Sequence, residues 1–132
     1  MKGPERRQIE YMASTLKEIK KLPPDVREVF LAAFDFAANG EKHPDAEPMK
    51  GYHGAGVLEV RDDGKDVTFR AVYTTNYDSA IYVLHIYKKK STTGIAIPRT
   101  DKRLIDKRLK DAKRIHDDKK AMAKGPSNTR QR

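Results

Sequence analysis

Arg70, His85, Tyr87 and Lys89 stand on two stretches whose residue types otherwise spell β-strand, VTFRAVYTT from Val67 and AIYVLHIYKKK from Ala80. Neighbouring residues of a strand point to opposite faces, so His85, Tyr87 and Lys89 share one side of a sheet and Lys88 takes the other. By the same period Arg70 projects opposite to Val67, Phe69, Ala71 and Tyr73, a cation on one face of a strand whose other face is apolar. A third run, VLEVR from Val57, carries Arg61. A guanidinium stays charged and offers parallel donors to phosphate oxygens, an ammonium adds a point charge, and an imidazole titrates near neutrality. Together these residues describe a sheet face suited to anion binding and proton transfer.

Each residue also has an ordinary structural reading. His85, between Leu84 and Ile86, is as well suited to a hydrogen-bonded core position as to catalysis. Arg61 can pair with Glu59 or Asp62, Arg70 can pair across strands, and Lys88, Lys89 and Lys90 can form a solvated strand end. Tyr73 and Tyr82 are expected to pack. The four histidines, His43, His53, His85 and His116, do not have metal-ligand spacing, and no phosphate loop, nucleophile elbow or dinucleotide fingerprint occurs. Neither a metal nor a nucleotide cofactor is expected.

The elements that must hold these groups can be read around them. Ile9, Met12, Leu16 and Ile19 recur at helical spacing and predict a first helix ending before Leu22-Pro23-Pro24. The prolines and Asp25 open a second helix, with Val26, Val29, Phe30, Ala33, Phe34 and Ala37 on its apolar face and Asn39-Gly40 as its stop. From Glu41 to Gly56 the pattern dissolves into a Pro/Gly loop, long enough to be functional. Asp62-Asp63-Gly64-Lys65 and Asn76-Tyr77-Asp78-Ser79 turn the chain between strands, making the connections antiparallel. Leu104, Ile105, Leu109, Ala112 and Ile115 then predict a final helix with a narrow apolar stripe and basic flanks. The expected class is α+β with the order ααβββα in a domain over residues 1–116, followed by a basic, disordered tail over 117–132.

The chain has 132 residues and a net charge of +9, unevenly spread. Residues 1–87 hold 12 Lys/Arg against 14 Asp/Glu, whereas residues 88–132 hold 16 against 5. A basic block joined to a near-neutral domain is the footprint of a polyanion partner, most often nucleic acid, with a solvated basic helix as the alternative. On that reading Tyr87 is the aromatic best placed to stack on a base. There is no cysteine, and no window approaches the ~20 apolar residues of a membrane span, so a cytoplasmic protein is expected.

The segments GAGVLEVR at Gly54–Arg61, FRAVY at Phe69–Tyr73 and VLHIYKK at Val83–Lys89, in this order and spacing, resemble the HigB/RelE-like toxins over roughly residues 9–116. The likeness is greatest to the phage-associated HigB branch. It implies a RelE-like fold and a toxin of a toxin–antitoxin pair that cleaves mRNA on the ribosome and is neutralised in a complex with a helix-turn-helix, HigA-like antitoxin. Arg61 and Arg70 match the family's strand arginines, and Lys89 falls where relatives place a basic residue beside the scissile phosphate. Glu47-Pro48-Met49-Lys50 resembles the E-P-L-K stretch of the YoeB branch, which implies active-site roles for Glu47 and Lys50. Val57 and Glu59 stand where RelE has lysines, a departure from that pattern, and Ser91–Ile97 is longer than usual.

Metal-independent cleavage by the 2′-hydroxyl needs a base, cations for the phosphorane and an acid for the leaving oxygen. Arg70, Arg61 and Lys89 suit the cationic roles, with Lys50, Lys88 and Lys90 as further substrate contacts. His85 ranks ahead of Glu47 as the base because its intrinsic pKa lies nearer neutrality. Two other readings stand beside this one: a RelE/ParE-fold protein without nuclease activity, either a gyrase poison or an inactive toxin that binds its antitoxin, and a basic nucleic-acid-binding module.

Overall fold

The protein is described from a computed structural model covering residues 6–52, 56–64, 66–90 and 97–128, without the side chains of 90 and 124–128. The order is β1 (Gln8–Tyr11), α1 (Thr15–Lys20), α2 (Pro24–Ala38), β2 (Ala46–Pro48), β3 (Val57–Asp63), β4 (Val67–Thr74), β5 (Ala80–Lys90) and α3 (Arg99–Asn128). The α+β class holds, as does the antiparallel β3–β4–β5 meander, but among the described residues the sheet has five strands in the order β1-β5-β4-β3-β2.

Both added strands correct the sequence reading. The expected first helix divides into β1 and a six-residue α1. Helical spacing from Ile9 to Ile19 was misleading because Ile9 and Tyr11 instead align in parallel with Ile81 and Val83, a distant partner that no local window contains. At Ala13 the chain turns through a positive φ of 50° before α1. The second addition, β2, lies within the expected loop and pairs Ala46, Glu47 and Pro48 with Val60, Glu59 and Leu58. It is an edge strand, where a proline is tolerated because no partner on that side needs its missing N–H.

α2 follows its sequence signals closely, starting on Pro24 and ending at Asn39, with Gly40 at a φ of 82° just beyond. Phe30, Ala33, Phe34 and Ala37 pack on one face of the sheet against Val60, Ala71, Tyr73, Ile81 and Val83. On the other face, Ile105 and Ala112 of α3 bury against Val72, Tyr82 and Leu84. The sheet is therefore sandwiched, and each fully buried large apolar side chain contributes about 1.5–3 kcal/mol.

One irregularity decides which face carries the chemistry. Val72 pairs with His85 but Tyr73 pairs with Val83, so Leu84 is an extra residue in β5. Strict alternation would put Val83 and His85 on the same side. The bulge lets Ile81, Val83 and Ile86 serve the α2 core while Leu84 and Tyr87 face α3.

Past residue 117, where the composition predicts a disordered tail, α3 runs on to Asn128. Lys119 reaches Glu10 at 3.3 Å and lies over the Tyr82 ring, so this stretch docks on the sheet despite its composition. Ion pairs one turn apart, Lys102–Asp106, Lys107–Asp111 and Lys113–Asp117, stabilise the preceding turns of α3, from which the helix continues.

Candidate functional site

Cross-strand register gathers an unusual row of charges on the α3 face of the sheet. Glu47 lies opposite Glu59, Arg61 opposite Arg70, and Arg70 opposite Tyr87. Like charges directly opposite one another destabilise a sheet. Here the diagonals offset them, with Arg70 Nη1 3.0 Å from Glu59 Oε1 and Arg61 Nη2 3.9 Å from Glu47 Oε2. The two pairs differ in setting. Arg70 and Glu59 are each 16% exposed, whereas Arg61 and Glu47 are 45% and 70% exposed at the rim.

These four residues line a cavity of about 750 Å³. Pro48 at the end of β2 and Met49, Lys50 and Gly51 beyond it form one wall, Tyr87 also lines the cavity, and Ile97 and Lys102 close it from the α3 side. Of the residues singled out in the sequence, Arg70, Arg61, Glu47, Lys50 and Tyr87 are thus brought together. Tyr87 donates its hydroxyl to Glu59 at 2.9 Å, and burial followed by the Glu59 charge raises its pKa. Glu59 accepts from both Arg70 and Tyr87 and fixes their positions. Arg70 Nε is buried without a hydrogen-bond acceptor in the protein, a polar group whose desolvation is uncompensated.

Lys89 lies opposite Thr68, beyond the residues that line the cavity, but within the electrostatic reach of Arg70 and Glu59. Burial and then the Arg70 charge lower its pKa, with Glu59 opposing, so its ammonium gives up a proton more readily than an ordinary lysine does. Lys88 pairs with Phe69 on the opposite face and is exposed, so it does not join the cluster. The side chain of Lys90 lies outside the described residues.

His85 shares the site's face but not its opening. It is 4% exposed beneath α3, with Nε2 2.7 Å from Asp101 Oδ1 and Nδ1 3.1 Å from Arg108 Nη1. Arginine has no acceptor, so Nδ1 must accept and Nε2 must carry the proton donated to Asp101. Both ring nitrogens are therefore committed while α3 is docked. The ring still supports the site, stacking on Tyr87 with centroids 5.4 Å apart and planes at 18°.

The sequence reading did not assign roles to Glu59, Asp101, Arg108 or Lys102. Glu59 had a legible signal, since the E-V-R spacing puts it on the face of Arg61. The helix residues carried none that set them apart from other charges on α3.

The cluster can clamp an oxyanion between guanidinium groups, offer a carboxylate at the rim and supply a proton from Lys89, the parts required for phosphodiester transfer. Among curated proteins and solved structures, none matches the chain. A family model does match, from residue 17 to 110, a span that includes the whole charged row and the clamp on His85. The chain thus belongs to the phage derived protein Gp49-like family (DUF891), a family typically associated with toxin–antitoxin modules.

Proposed function

We propose that this protein is the toxin of a toxin–antitoxin pair and acts, like the HigB/RelE toxins it resembles, as an endoribonuclease on mRNA engaged by the ribosome. The observation that carries the reading is the Glu47–Glu59–Arg61–Arg70 row around one open cavity, in a member of a toxin-associated family. Arg70 and Arg61 bind the phosphate and stabilise the charge that grows on it in the transition state. Glu47, the exposed rim carboxylate, takes the 2′-hydroxyl proton while the 2′-oxygen attacks phosphorus. Lys89 protonates the departing 5′-oxygen. Glu59 is a positioning residue that holds the Arg70 guanidinium and the Tyr87 hydroxyl. His85 supports Tyr87 from below, which moves the base role from His85 to Glu47. The products are a 2′,3′-cyclic phosphate and a 5′-hydroxyl end, with no metal in the scheme. A helix-turn-helix antitoxin is the proposed partner.

A second reading is favoured by the committed state of His85: a protein of the same fold that binds an antitoxin or another target without cutting RNA. Incubation with translating ribosomes followed by mapping of mRNA ends separates the two. The nuclease reading expects cleavage by the parent protein and loss of it in Arg70→Ala and Lys89→Ala, with matching relief of growth arrest. Intact mRNA alongside arrested growth would favour the second reading.

A further inference from the structure

A second concavity, of about 390 Å³, lies along α3 and is lined by Asn76, Tyr77, Asp106, Leu109, Lys110 and Lys113. It adjoins the first. Lys102 borders the 750 Å³ cavity, Asp106 borders this one, and the two side chains are 3.1 Å apart. The ridge between them is Tyr52, whose ring lies under Lys102 and whose hydroxyl donates to Asp106 at 2.5 Å. Residues 102, 106, 109 and 113 fall on one side of a helix, at steps of three and four, and span about 16 Å at 1.5 Å per residue. The two cavities therefore adjoin along one side of α3.

The second cavity has the chemistry of a nucleotide site. Tyr77 presents an aromatic ring backed by His116, with centroids 4.7 Å apart and planes at 32°, and edge-on by Tyr82 at 5.8 Å. Ser79 fixes His116 through a 2.8 Å hydrogen bond to Nδ1. The turn carrying Tyr77 is itself held, because Arg7 Nη1 donates to the carbonyls of Thr75 and Tyr77 at 3.0 and 2.9 Å. Lys110 and Lys113 stand exposed at its edge, Lys113 paired with Asp117 at 2.9 Å, and Asn76 adds an amide. The carboxylate in the path, Asp106, is offset by Lys102 and by its bond to Tyr52.

We infer that this second cavity is a subsite for single-stranded RNA, in which a base stacks on Tyr77 and Lys110 and Lys113 hold the backbone of a nucleotide flanking the one in the first cavity. The choice of RNA rests on the proposed function, but the subsite does not require that cleavage occur. Stacking on an aromatic side chain strengthens binding by roughly fivefold to a hundredfold per base, and each phosphate neutralised on a single strand adds about 0.7 to the slope of log K against log salt.

The test uses 2′-O-methyl oligoribonucleotides, which lack the attacking hydroxyl, so binding is measured apart from cleavage. Fluorescence anisotropy should show a hexanucleotide binding the full chain at least tenfold more tightly than a dinucleotide. Lys110→Ala with Lys113→Ala should remove most of that gain and lower the salt slope by about 1.4. The dinucleotide should be unaffected. Tyr77→Leu should act similarly. Because Tyr77 packs against Tyr82, the exposed lysine pair decides the matter if that variant folds poorly. Lys107→Ala with Arg114→Ala, on the neighbouring face of α3, is the control and should retain the gain. The inference is overturned if length gives no advantage, if the control pair loses as much as the lysine pair, or if no RNA binds. Length-dependent binding without cleavage of ordinary RNA upholds the subsite and removes the nuclease reading. Cleavage with an inert lysine pair does the reverse.

Discussion

Arg70 is held by Glu59 at 3.0 Å in a half-enclosed setting, so its guanidinium is already oriented before any anion arrives. In the proposed mechanism Arg70→Ala should lower mRNA cleavage by about 10²–10³, the cost of losing one fixed donor to a developing oxyanion. Arg70→Lys should not restore it, because an ammonium cannot supply the paired donors. Lys89 makes a pH prediction. Its pKa lies below the ordinary 10.5, and as the proton donor it must be charged, so cleavage should fall as pH rises through that lowered value. In Lys89→Arg that alkaline limb should disappear from a rate profile measured with one RNA substrate; an unchanged limb would assign the titration elsewhere. At this scale the sequence was legible where side-chain period alone decides, as for Arg61, Arg70, Tyr87 and Lys89 on one face. It was not legible where a helix far along the chain decides. Nothing near Leu84 and Ile86 announces that Asp101 and Arg108 will occupy both nitrogens of His85.

Among the elements, α3 both completes the site and covers part of it. The network on His85 requires the Nε2–H tautomer, and long-range ¹⁵N correlation spectra of the imidazole should show it; an Nδ1–H signal would contradict the docked position of Arg108. Ile105→Ala removes a fully buried anchor and should destabilise the fold by about 2–5 kcal/mol in denaturant titrations. The segment after β2 is tethered to α3 by the Tyr52–Asp106 bond, which is the main reason the Asp106 carboxyl titrates below its usual 3.8. A carboxyl depressed in the fold adds stability that is present above its unfolded value and lost as pH falls through its folded one. Tyr52→Phe should therefore lower stability at neutral pH and flatten its decline in acid, as read from melting temperatures across pH. α2 was legible because Pro24, Asn39 and Gly40 mark its ends locally. β1 and β2 were not, since four- and three-residue strands depend on partners elsewhere in the chain, Ile81 and Val83 for one and Leu58 to Val60 for the other.

Across the whole molecule, charge is segregated, with a near-neutral body carrying a basic strand end and helix within a total of +9. Among the described residues no helix is long and apolar enough to cross a membrane. The domain-scale reading succeeded for the class and the meander, because hydrophobic pattern fixes which faces are buried. Composition alone hides the docking of Lys119 onto Glu10 and Tyr82, so the helix past residue 117 was not legible. In the proposed mechanism the Glu–Arg row is a phosphodiester-cleaving centre. Its most direct test is to expose mRNA on translating ribosomes to the purified protein and to Arg70→Ala, then determine the chemistry of any new ends. A nuclease centre there yields 2′,3′-cyclic phosphate and 5′-hydroxyl termini with the parent protein and almost none with the variant. Equal cleavage by both proteins, or intact mRNA with a folded parent protein, would contradict it.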